Sequence, residues 1–319
     1  MTGIDDLLEK TSRTFALSIP RLPEPTRMEV TVAYLLFRIA DTFEDAVFWE
    51  PARRIDALGQ FCTLLGNPDP SEADLLARVW REPRPLAHQG YLELLDAAPY
   101  VLEAFRMLAP TARTVIASHV IRSARGMAEF VGRTEDGTLQ LRSLNELRDY
   151  CYVVAGIVGE MLCDLFLLDR GALIAVSGPL RERAACFGEG LQLVNILKDS
   201  ASDRTEGRSY LPTGVSRADV FGLARSDLRA AAEYVLILQR EGAPRGIVEF
   251  TALPVQLATA SLDRIERSGP GAKISRLELF RIVATLEKAL NRGEPAVPRG
   301  SAGPDESRSM EPLPPRRRR

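Results

Sequence analysis

The chain has 319 residues, and its 41 lysines and arginines nearly balance 43 aspartates and glutamates, which leaves a net charge of −2. This balance argues against a general nucleic-acid-binding protein, which typically carries a strong basic excess. The hydrophobic fraction of 45% is typical of a globular protein with a sizeable core, and no stretch reaches the roughly 18 apolar residues of a membrane span. The acidic start does not resemble a secretory signal, and the four cysteines form no CxxC pair. We therefore expect a cytoplasmic protein with reduced thiols.

Most of the chain is predicted to be helical, because apolar residues recur at three- and four-residue spacing. The pattern is clearest in three segments: 30–40, 139–168 and 185–197. Prolines within 78–89 predict a loop, and Ser216 follows a Pro/Gly-containing stretch as the predicted start of another helix. Strand patterns are nearly absent, so the expected fold class is all-α.

The composition changes at Gly293, after which the chain is rich in Pro, Ser, Gly and Arg. Such a segment buries too little apolar surface to offset its chain entropy. We therefore predict one helical domain over 1–292 and a disordered tail over 293–319. The tail ends in four arginines, 316–319, which we interpret as solvated, with weak attraction to an anionic membrane surface as the alternative.

The first candidate site is the segment 38–45, which reads Arg-Ile-Ala-Asp-Thr-Phe-Glu-Asp. On a helix, Asp41, Glu44 and Asp45 share one face, and Arg38 stands one turn earlier. Neighbouring carboxylates repel one another, and Mg²⁺ often bridges such oxygen ligands to substrate phosphates. Acidic pairs at this spacing are common by chance, so a solvated acidic face explains this cluster equally well when it is taken alone.

A second polar stripe lies on a helix that is otherwise apolar nearly all round. Its members are Gln192, Asn195, Asp199 and Asp203. Buried polar groups need partners, so we expect the stripe to face a cavity; the alternative is packing against a neighbouring helix. Lys198 and Arg208 are close in sequence and can meet phosphate oxygens.

Two acidic helices that face each other across a cavity could hold several Mg²⁺ ions and clamp a diphosphate. Clamping stabilises the charge that develops on a leaving diphosphate, which favours ionisation of a carbon–diphosphate bond in a dry apolar pocket. Gly156 and Gly159 interrupt an apolar helical pattern. They indicate either a helix break that makes room for a long hydrocarbon or close helix packing. The segment 12–15, Ser-Arg-Thr-Phe, could be a helix cap with an incidental arginine.

Taken together, these segments resemble the squalene/phytoene synthase family over roughly residues 10–290. The resemblance is carried, in the order of the family, by four segments: 12–15, 38–45, 150–159 and 192–203. It implies the all-α isoprenoid synthase fold, a single bundle of helices around a central cavity. It also implies Mg²⁺-dependent head-to-head condensation of two prenyl diphosphates.

The resemblance also implies roles for individual residues. The implied Mg²⁺ ligands are Asp41, Glu44, Asp45, Asp199 and Asp203. The implied diphosphate or cavity contacts are Ser12, Arg13, Arg38, Gln192, Asn195, Lys198 and Arg208. The implied cavity lining is Phe15, Tyr34, Val154, Gly159 and Leu162. Tyr150 matches a tyrosine that assists proton removal or steers the cation, so the implied catalytic set is Tyr150, Arg38, Asp41, Asp45, Asp199 and Asp203. The implied NADPH contacts are Asn195, Lys273 and Arg276.

Within the family, the squalene branch resembles this chain in the Asp-Thr-Phe-Glu-Asp sequence and in the segments 126–130 and 250–258. The phytoene-type branch resembles it in 207–212, and Ser202 and Lys198 depart from the squalene pattern. We expect two farnesyl diphosphates to condense to presqualene diphosphate, which NADPH then reduces to squalene. The alternative product is presqualene diphosphate, dehydrosqualene or phytoene, without the NADPH step.

Two other classes of protein are alternatives to a head-to-head synthase. A non-catalytic helical binding or assembly protein would be expected to have broken acidic motifs, and a terpene cyclase acting on one substrate would share the metal chemistry. The expected partners are prenyl diphosphates and no nucleic acid. We expect a soluble or peripheral protein, a monomer or homodimer, without the C-terminal membrane anchor of eukaryotic relatives and with peripheral membrane contact for product release.

Overall fold

The computed structural model describes residues 3–12, 14–67, 69–134, 139–168, 170–205 and 208–298, with the backbone alone for 201–205 and 208–209. Eight helices come first: α1 (Ile4–Thr11), α2 (Phe15–Ser18), α3 (Thr26–Glu44), α4 (Pro51–Gly66), α5 (Pro70–Arg81), α6 (Gln89–Asp96), α7 (Ala98–Met107) and α8 (Pro110–Val131). Seven follow: α9 (Leu144–Cys151), α10 (Ile157–Leu167), α11 (Gly171–Ile174), α12 (Ser177–Thr205), α13 (Arg217–Arg240), α14 (Arg245–Ser268) and α15 (Arg276–Asn291). A 3-10 turn (Ile19–Arg21) follows α2, and a π-helical turn (Tyr152–Gly156) joins α9 to α10. The predicted all-α class is confirmed.

Capping residues predict where the helices begin more accurately than the spacing of apolar residues does. The helix predicted over 139–168 begins at Leu144, because the Ser143 hydroxyl accepts the backbone N–H of Glu146 at 3.1 Å. Ser216 caps α13 as predicted, since its hydroxyl accepts an N–H at the start of that helix. The loop predicted over 78–89 is shorter, because α5 continues to Arg81 and α6 begins at Gln89.

A short parallel ladder connects the two halves of the candidate site. Strand β1 (Leu139–Gln140) pairs with β2 (Arg208–Ser209), and Leu139 lies opposite Arg208. Because β1 precedes α9 and β2 follows α12, this ladder holds the carboxyl end of α12 beside the start of α9.

Helix α12 lies at the centre of the bundle and packs against α10, α13, α14 and the π-helical turn. A large cluster of buried apolar side chains joins α3, α4, α8, α10 and α14, and a second cluster lies between α9, α12 and α13. Cys163 is buried in the first cluster and Cys151 in the second. All four cysteines carry free thiols, as predicted.

The packed part of the chain extends beyond the predicted boundary at residue 292. Ala296 and Val297 are 1% and 2% exposed and belong to the large core cluster. The backbone N–H of Ala296 donates to Oε1 of Gln239 at 2.8 Å, and Nε2 of Gln256 donates to the Ala296 carbonyl oxygen. The prediction of disorder is therefore wrong for residues 293–298, and the rest of the predicted tail lies outside the described residues.

Among the described residues, one helical stretch is long and apolar enough to cross a membrane. It runs from Leu144 to Leu167 and contains an 18-residue window with a mean hydropathy of 1.6. The sequence prediction concerned a run of about 18 apolar residues, and the charged residues Glu160 and Asp164 interrupt this stretch. Because 61% of that window is buried inside the protein, the stretch has the burial of a core helix.

Candidate active site

The first acidic cluster lies at the carboxyl end of α3. The helix ends at Glu44, and the backbone N–H of the capping residue Asp45 donates to the carbonyl oxygen of Asp41 at 2.8 Å. The ring of Phe43 anchors this end of α3, with centroids 4.9 Å from Trp80 and 6.0 Å from Phe61. The last turn contains no basic residue, although the helix dipole favours a cation there by about 0.3–1 kcal/mol. A cation bound to these acids would supply the favourable interaction with the helix dipole that no side chain of the last turn provides.

Arg38 is held beside the cluster by two aromatic rings. Its guanidinium carbon lies 5.6 Å from the ring centroid of Tyr34 and 5.3 Å from that of Tyr91. A guanidinium nitrogen lies 3.3 Å from a carboxylate oxygen of Asp41. Burial lowers the pKa of Arg38, but the charge of Asp41 and the two tyrosines outweigh it, so the net shift is upward. Nε is buried without a hydrogen-bond partner among the described residues, which leaves a donor for a ligand.

Asp41 is the carboxylate closest to Arg38, and its side chain is 26% exposed. Burial raises the pKa of Asp41 to about 6; the charge of Arg38 opposes this shift and the charge of Asp45 adds to it. The charged form of Asp41 therefore carries a desolvation cost that one arginine does not offset. Asp45 is also partly exposed, so these two carboxylates are accessible to a cation.

Glu44 differs from its two acidic neighbours because it is only 6% exposed. It forms a hydrogen bond with Tyr150, and its backbone carbonyl oxygen accepts an N–H of Arg54. Burial raises the pKa of Glu44, and the charges of Asp45 and Asp41 raise it further. The role of Glu44 as a metal ligand stays a prediction, and the structure gives this residue a contact with the candidate catalytic tyrosine.

Tyr150 connects the acidic end of α3 to the chain that leaves α12. Its ring stacks on Tyr210 with centroids 4.9 Å apart and meets the edge of Phe130 at 5.2 Å. Tyr210 follows β2 directly, so the strand ladder brings the two tyrosines together. Burial raises the pKa of Tyr150 well above its usual value, and the charge of Glu44 raises it further, so the hydroxyl stays protonated at neutral pH.

The helix break expected near Gly156 is the π-helical turn that ends at this glycine. Two further glycines bring helix backbones into contact on either side of it. A Cβ on Gly159 would lie 2.0 Å from the carbonyl oxygen of Ala184, and a Cβ on Gly188 would lie 1.8 Å from that of Ala155. Gly159 therefore serves close helix packing, which is one of the two explanations that the sequence left open.

The predicted cavity-lining residues differ in burial. Leu162 is 3% exposed within the large core cluster, and Val154 is partly exposed and packs against both clusters. Phe15 and Tyr34 lie next to each other, with ring centroids 5.7 Å apart. The Tyr34 hydroxyl donates to the carbonyl oxygen of Thr11 at 2.8 Å. These contacts place the amino-terminal segment beside the part of α3 that carries Arg38.

Ser12 has the capping role that the sequence left open. Its hydroxyl accepts the backbone N–H of Phe15 at 3.0 Å, at the start of α2. Arg13, which was predicted to contact the diphosphate, lies outside the described residues. The predicted contact of Ser12 with a diphosphate stays a prediction.

The second acidic segment lies on α12, as the spacing predicted. The apolar residues that flank the stripe are buried, whereas Gln192 and Asp199 are partly exposed and Asn195 is exposed. Nζ of Lys198 donates to Oδ1 of Asn195 at 3.0 Å and lies 3.3 Å from Oδ2 of Asp199. The stripe therefore pairs a cation with a carboxylate, in the same way as the pair formed by Arg38 on α3.

Two predicted site residues, Asp203 and Arg208, are described by their backbone alone. The backbone places Asp203 on the last turns of α12 and Arg208 on β2, but their side chains lie outside the described residues. Among the side chains that are described, no three His, Cys, Asp or Glu residues are close enough to hold a metal ion. The described carboxylates thus form two separate groups of possible oxygen ligands, one on α3 and one on α12.

The residues predicted to bind NADPH lie at the surface. Lys273 and Arg276 are exposed at the start of α15. The loop before them lies against α12, because the backbone N–H of Gly271 donates to the carbonyl oxygen of Lys198 at 2.8 Å. The predicted NADPH segment is thus adjacent to the α12 stripe that contains Asn195.

Sequence patterns missed Tyr91 and Tyr210. Tyr91 lies on the short helix α6 and Tyr210 in the segment after α12, far in sequence from the groups that they contact. No spacing rule connects either residue to Arg38 or Tyr150. Only Tyr210 had a signal, as part of the segment that resembles the phytoene-type branch.

The chain is similar in sequence to known squalene synthases. The chain is 30% identical to Botryococcus squalene synthase from Botryococcus braunii over 203 residues, which are 63% of this chain and 39% of that protein. It is 33% identical to squalene synthase from Rattus norvegicus over 208 residues, which are 65% of this chain and 45% of that protein. The chain thus spans less than half the length of these curated relatives.

The fold is also similar to solved structures. A ligand complex of TcSQS aligns with a TM-score of 0.73 at 23% identity, covering 91% of this chain and 87% of that one. The description "Squalene/phytoene synthase" belongs to a family model that matches residues 8–282. This match includes α3 and α12, which carry the acidic clusters, and α9, which carries Tyr150. The chain therefore belongs to the squalene/phytoene synthase family.

Proposed function

We propose that this protein is a squalene synthase, a prenyltransferase that joins two farnesyl diphosphates head to head. The product of this step is presqualene diphosphate, which NADPH then reduces to squalene. The observation that carries the proposal is the end of α3, where Arg38 lies between two tyrosine rings beside half-buried carboxylates. The squalene synthases of B. braunii and R. norvegicus, to which the chain is similar, support the choice of branch.

Asp41, Asp45 and Asp199 supply the oxygen donors that Mg²⁺ prefers, and Asp203 is the further predicted ligand. The α3 carboxylates fit a divalent cation because burial disfavours their charge and no basic residue of the last turn offsets the helix dipole there. Mg²⁺ at this position would neutralise a diphosphate and make it a better leaving group. Arg38 contributes its own part by donating charged N–H groups to phosphate oxygens.

Lys198 would act on α12 as Arg38 does on α3. Its ammonium group lies between Asn195 and Asp199, so a phosphate that approaches the stripe meets a fixed positive charge. Two such cation–carboxylate pairs on separate helices suit two diphosphate groups, and the proposed reaction has two diphosphate substrates. The apolar rings of Phe15 and Tyr34 would exclude water from the carbocation that forms when a diphosphate leaves.

Tyr150 and Glu44 would handle the proton that is lost when the cyclopropane ring closes. The hydroxyl of Tyr150 forms a hydrogen bond with Glu44. When Glu44 is ionised, its raised pKa makes it a stronger base than an ordinary carboxylate, so the Tyr150 oxygen can take a proton from the substrate cation as the phenol proton passes to Glu44. The aromatic contacts of Tyr150 with Tyr210 and Phe130 fix its orientation. Tyr150 would therefore relay the proton from a fixed position, starting from its protonated phenol form.

NADPH would bind where Lys273 and Arg276 lie next to α12. Both residues are exposed cations, and the contact between Gly271 and Lys198 connects their loop to the stripe. A dinucleotide phosphate is recognised by such basic groups. Asn195, which is exposed on the same stripe, is the third proposed contact.

A second candidate function is synthesis of dehydrosqualene, presqualene diphosphate or phytoene without the NADPH step. One observation favours it: Tyr210, which stacks on Tyr150, belongs to the segment 207–212 that resembles the phytoene-type branch. The two candidates share the acidic clusters and differ in the use of a reductant and in prenyl chain length.

The test is to feed farnesyl and geranylgeranyl diphosphates separately, each with Mg²⁺ and with or without NADPH, and to identify the extracted products by mass spectrometry. We expect a thirty-carbon hydrocarbon from farnesyl diphosphate that is hydrogenated only when NADPH is present. A product that does not depend on NADPH contradicts the squalene assignment, and a forty-carbon product from the longer substrate favours phytoene synthesis. A cyclic fifteen-carbon product would indicate a terpene cyclase, and no product with either substrate would indicate a non-catalytic protein.

A further inference from the structure

Helix α15 carries apolar side chains that the rest of the protein does not cover. Leu277 and Phe280 lie one turn apart and are 60% and 67% exposed. On the opposite side of the helix, Leu286 is 1% exposed and belongs to the large core cluster. The helix therefore has an inner apolar side that attaches it to the protein and a second apolar strip on its outer side.

The charges beside the outer strip are positive. Arg281 and Lys288 are exposed at positions four and eleven residues after Leu277, which places all three on one face of the helix. Neither cation forms a salt bridge with a described residue. Arg292 is exposed further along, with its nearest acidic atom, on Glu294, 3.8 Å away.

The acids of α15 are used to hold the helix in place. Nη2 of Arg264, on α14, donates to Glu278 at 2.8 Å, and Arg21 donates to Glu287 at 3.2 Å. Arg21 also bonds to Glu249 of α14, so these pairs fasten α15 to its neighbour. The two acids of the helix are therefore paired with arginines of the protein, and the exposed charges without a salt bridge among the described residues of the helix include Arg281 and Lys288.

We propose that this outer face, formed by Leu277, Phe280, Arg281 and Lys288 and called here the α15 face, docks on a membrane surface that contains anionic lipids. Helices that lie in a membrane interface combine inserted apolar side chains with lysines and arginines at the level of the headgroups. The acid that borders this face is Glu287, seven residues after Phe280, and its carboxylate is paired with Arg21. The unpaired charges on the face, among the described residues, are those of Arg281 and Lys288, which makes the face complementary to anionic lipid and not to a basic partner. The inference stands on this surface alone and does not depend on the prenyl substrate.

A second exposed apolar pair provides a contrast within the same molecule. On α5, Leu75 and Val79 lie one turn apart and are 62% and 45% exposed. Their exposed charged neighbours on α5 are the acids Glu72 and Asp74 and one cation, Arg78, so this surface lacks the basic excess of the α15 face. Exposed apolar side chains alone would favour membrane docking at both surfaces. The charges beside them favour docking at α15 only.

The test is flotation of the full-length protein with vesicles of phosphatidylcholine alone or mixed with phosphatidylglycerol. We expect binding to the mixed vesicles that weakens as salt is added. Leu277→Glu combined with Phe280→Glu should reduce the partition coefficient about 100-fold, because it removes two inserted groups and adds two charges of the wrong sign. Leu75→Glu combined with Val79→Glu is the matched control and should bind as the unaltered protein does. Thermal unfolding of both variants should be unchanged, since all four side chains are exposed.

A charge variant separates electrostatic attraction from insertion. Arg281→Gln combined with Lys288→Gln should reduce binding about 30-fold, which corresponds to about 1 kcal/mol for each charge. The proposal is overturned if the protein does not float with the mixed vesicles, or if the Leu277/Phe280 variant binds as well as the unaltered protein. It is also overturned if the α5 control loses binding equally, or if sedimentation shows that the α15 variant only converts a dimer to a monomer.

Discussion

Replacing Gly188 with alanine should force apart two helices whose contact positions the candidate site. The new Cβ would lie 1.8 Å from the carbonyl oxygen of Ala155, in the π-helical turn, whereas non-bonded atoms prefer a separation of about 3.5 Å. Backbone atoms on both sides must then move by more than about 1 Å. Overpacking costs about 1–3 kcal/mol, and two backbones in contact place this site at the upper end. The better helix propensity of alanine returns about 1 kcal/mol, so we expect unfolding free energy to fall by about 2 kcal/mol.

The assay is urea unfolding followed by circular dichroism, in which the midpoint should fall while the dependence on urea stays constant. Gly222→Ala on α13 is the matched control, because a Cβ there meets nothing within 4 Å. This control should raise the free energy of unfolding by up to about 1 kcal/mol, because alanine has the better helix propensity, and the urea midpoint should rise accordingly. If Gly188→Ala unfolds at or above the midpoint of the unaltered protein, close packing does not fix the spacing of these helices and the reasoning is refuted.

Asp41→Asn should lower Mg²⁺-dependent product formation by orders of magnitude with little change in unfolding free energy, since it removes a ligand and relieves carboxylate repulsion. The control Asp74→Asn, at an exposed position on α5, should leave both unchanged, and an unaltered rate in Asp41→Asn would mean that this carboxylate is not a ligand. Burial raises the pKa of Asp41 to about 6, so protonation should lower the Mg²⁺-dependent rate about tenfold for each pH unit below that value. A rate that stays level down to pH 5 would contradict this assignment. Tyr91→Leu removes one of the two rings against Arg38, a contact of about 0.5–2 kcal/mol, so the KM for the diphosphate substrate should rise severalfold at constant kcat. The exposed Tyr100→Leu is its control, and equal KM values for the two variants would exclude a role for the ring.

The parts of the fold that sequence predicts are those set by local chemistry. The apolar spacing of α3 and α12 produces helices with one polar stripe each, and the structure has both. Ser216 predicts the start of α13, where its hydroxyl and Asp219 cap each other. The same kind of signal was available at Ser143, followed three residues later by Glu146, and it fixes the start of α9 more closely than hydropathy does.

The parts that sequence does not predict depend on contacts between distant segments. Tyr91 approaches Arg38 only because α6 packs against α3, and Tyr210 approaches Tyr150 only because β2 pairs with β1. The segment around Ala296 has the composition of a tail, yet side-chain amides on α13 and α14 bond to its backbone. Composition measures the average tendency of a segment to bury surface and is insensitive to a few specific hydrogen bonds.

The two glycine contacts explain how a single helix pair can serve both halves of the site. The π-helical turn begins two residues after Tyr150, and Gly159 lies one turn beyond its end. On α12, Gly188 lies one turn before the polar stripe begins at Gln192. Because each glycine rests on the backbone of the other helix, the distance between Tyr150 and the stripe is set by backbone contact and not by adjustable side chains. A substitution that changes this distance should therefore alter proton handling and diphosphate binding together, whereas substitutions at Arg38 or Tyr91 should affect diphosphate binding alone.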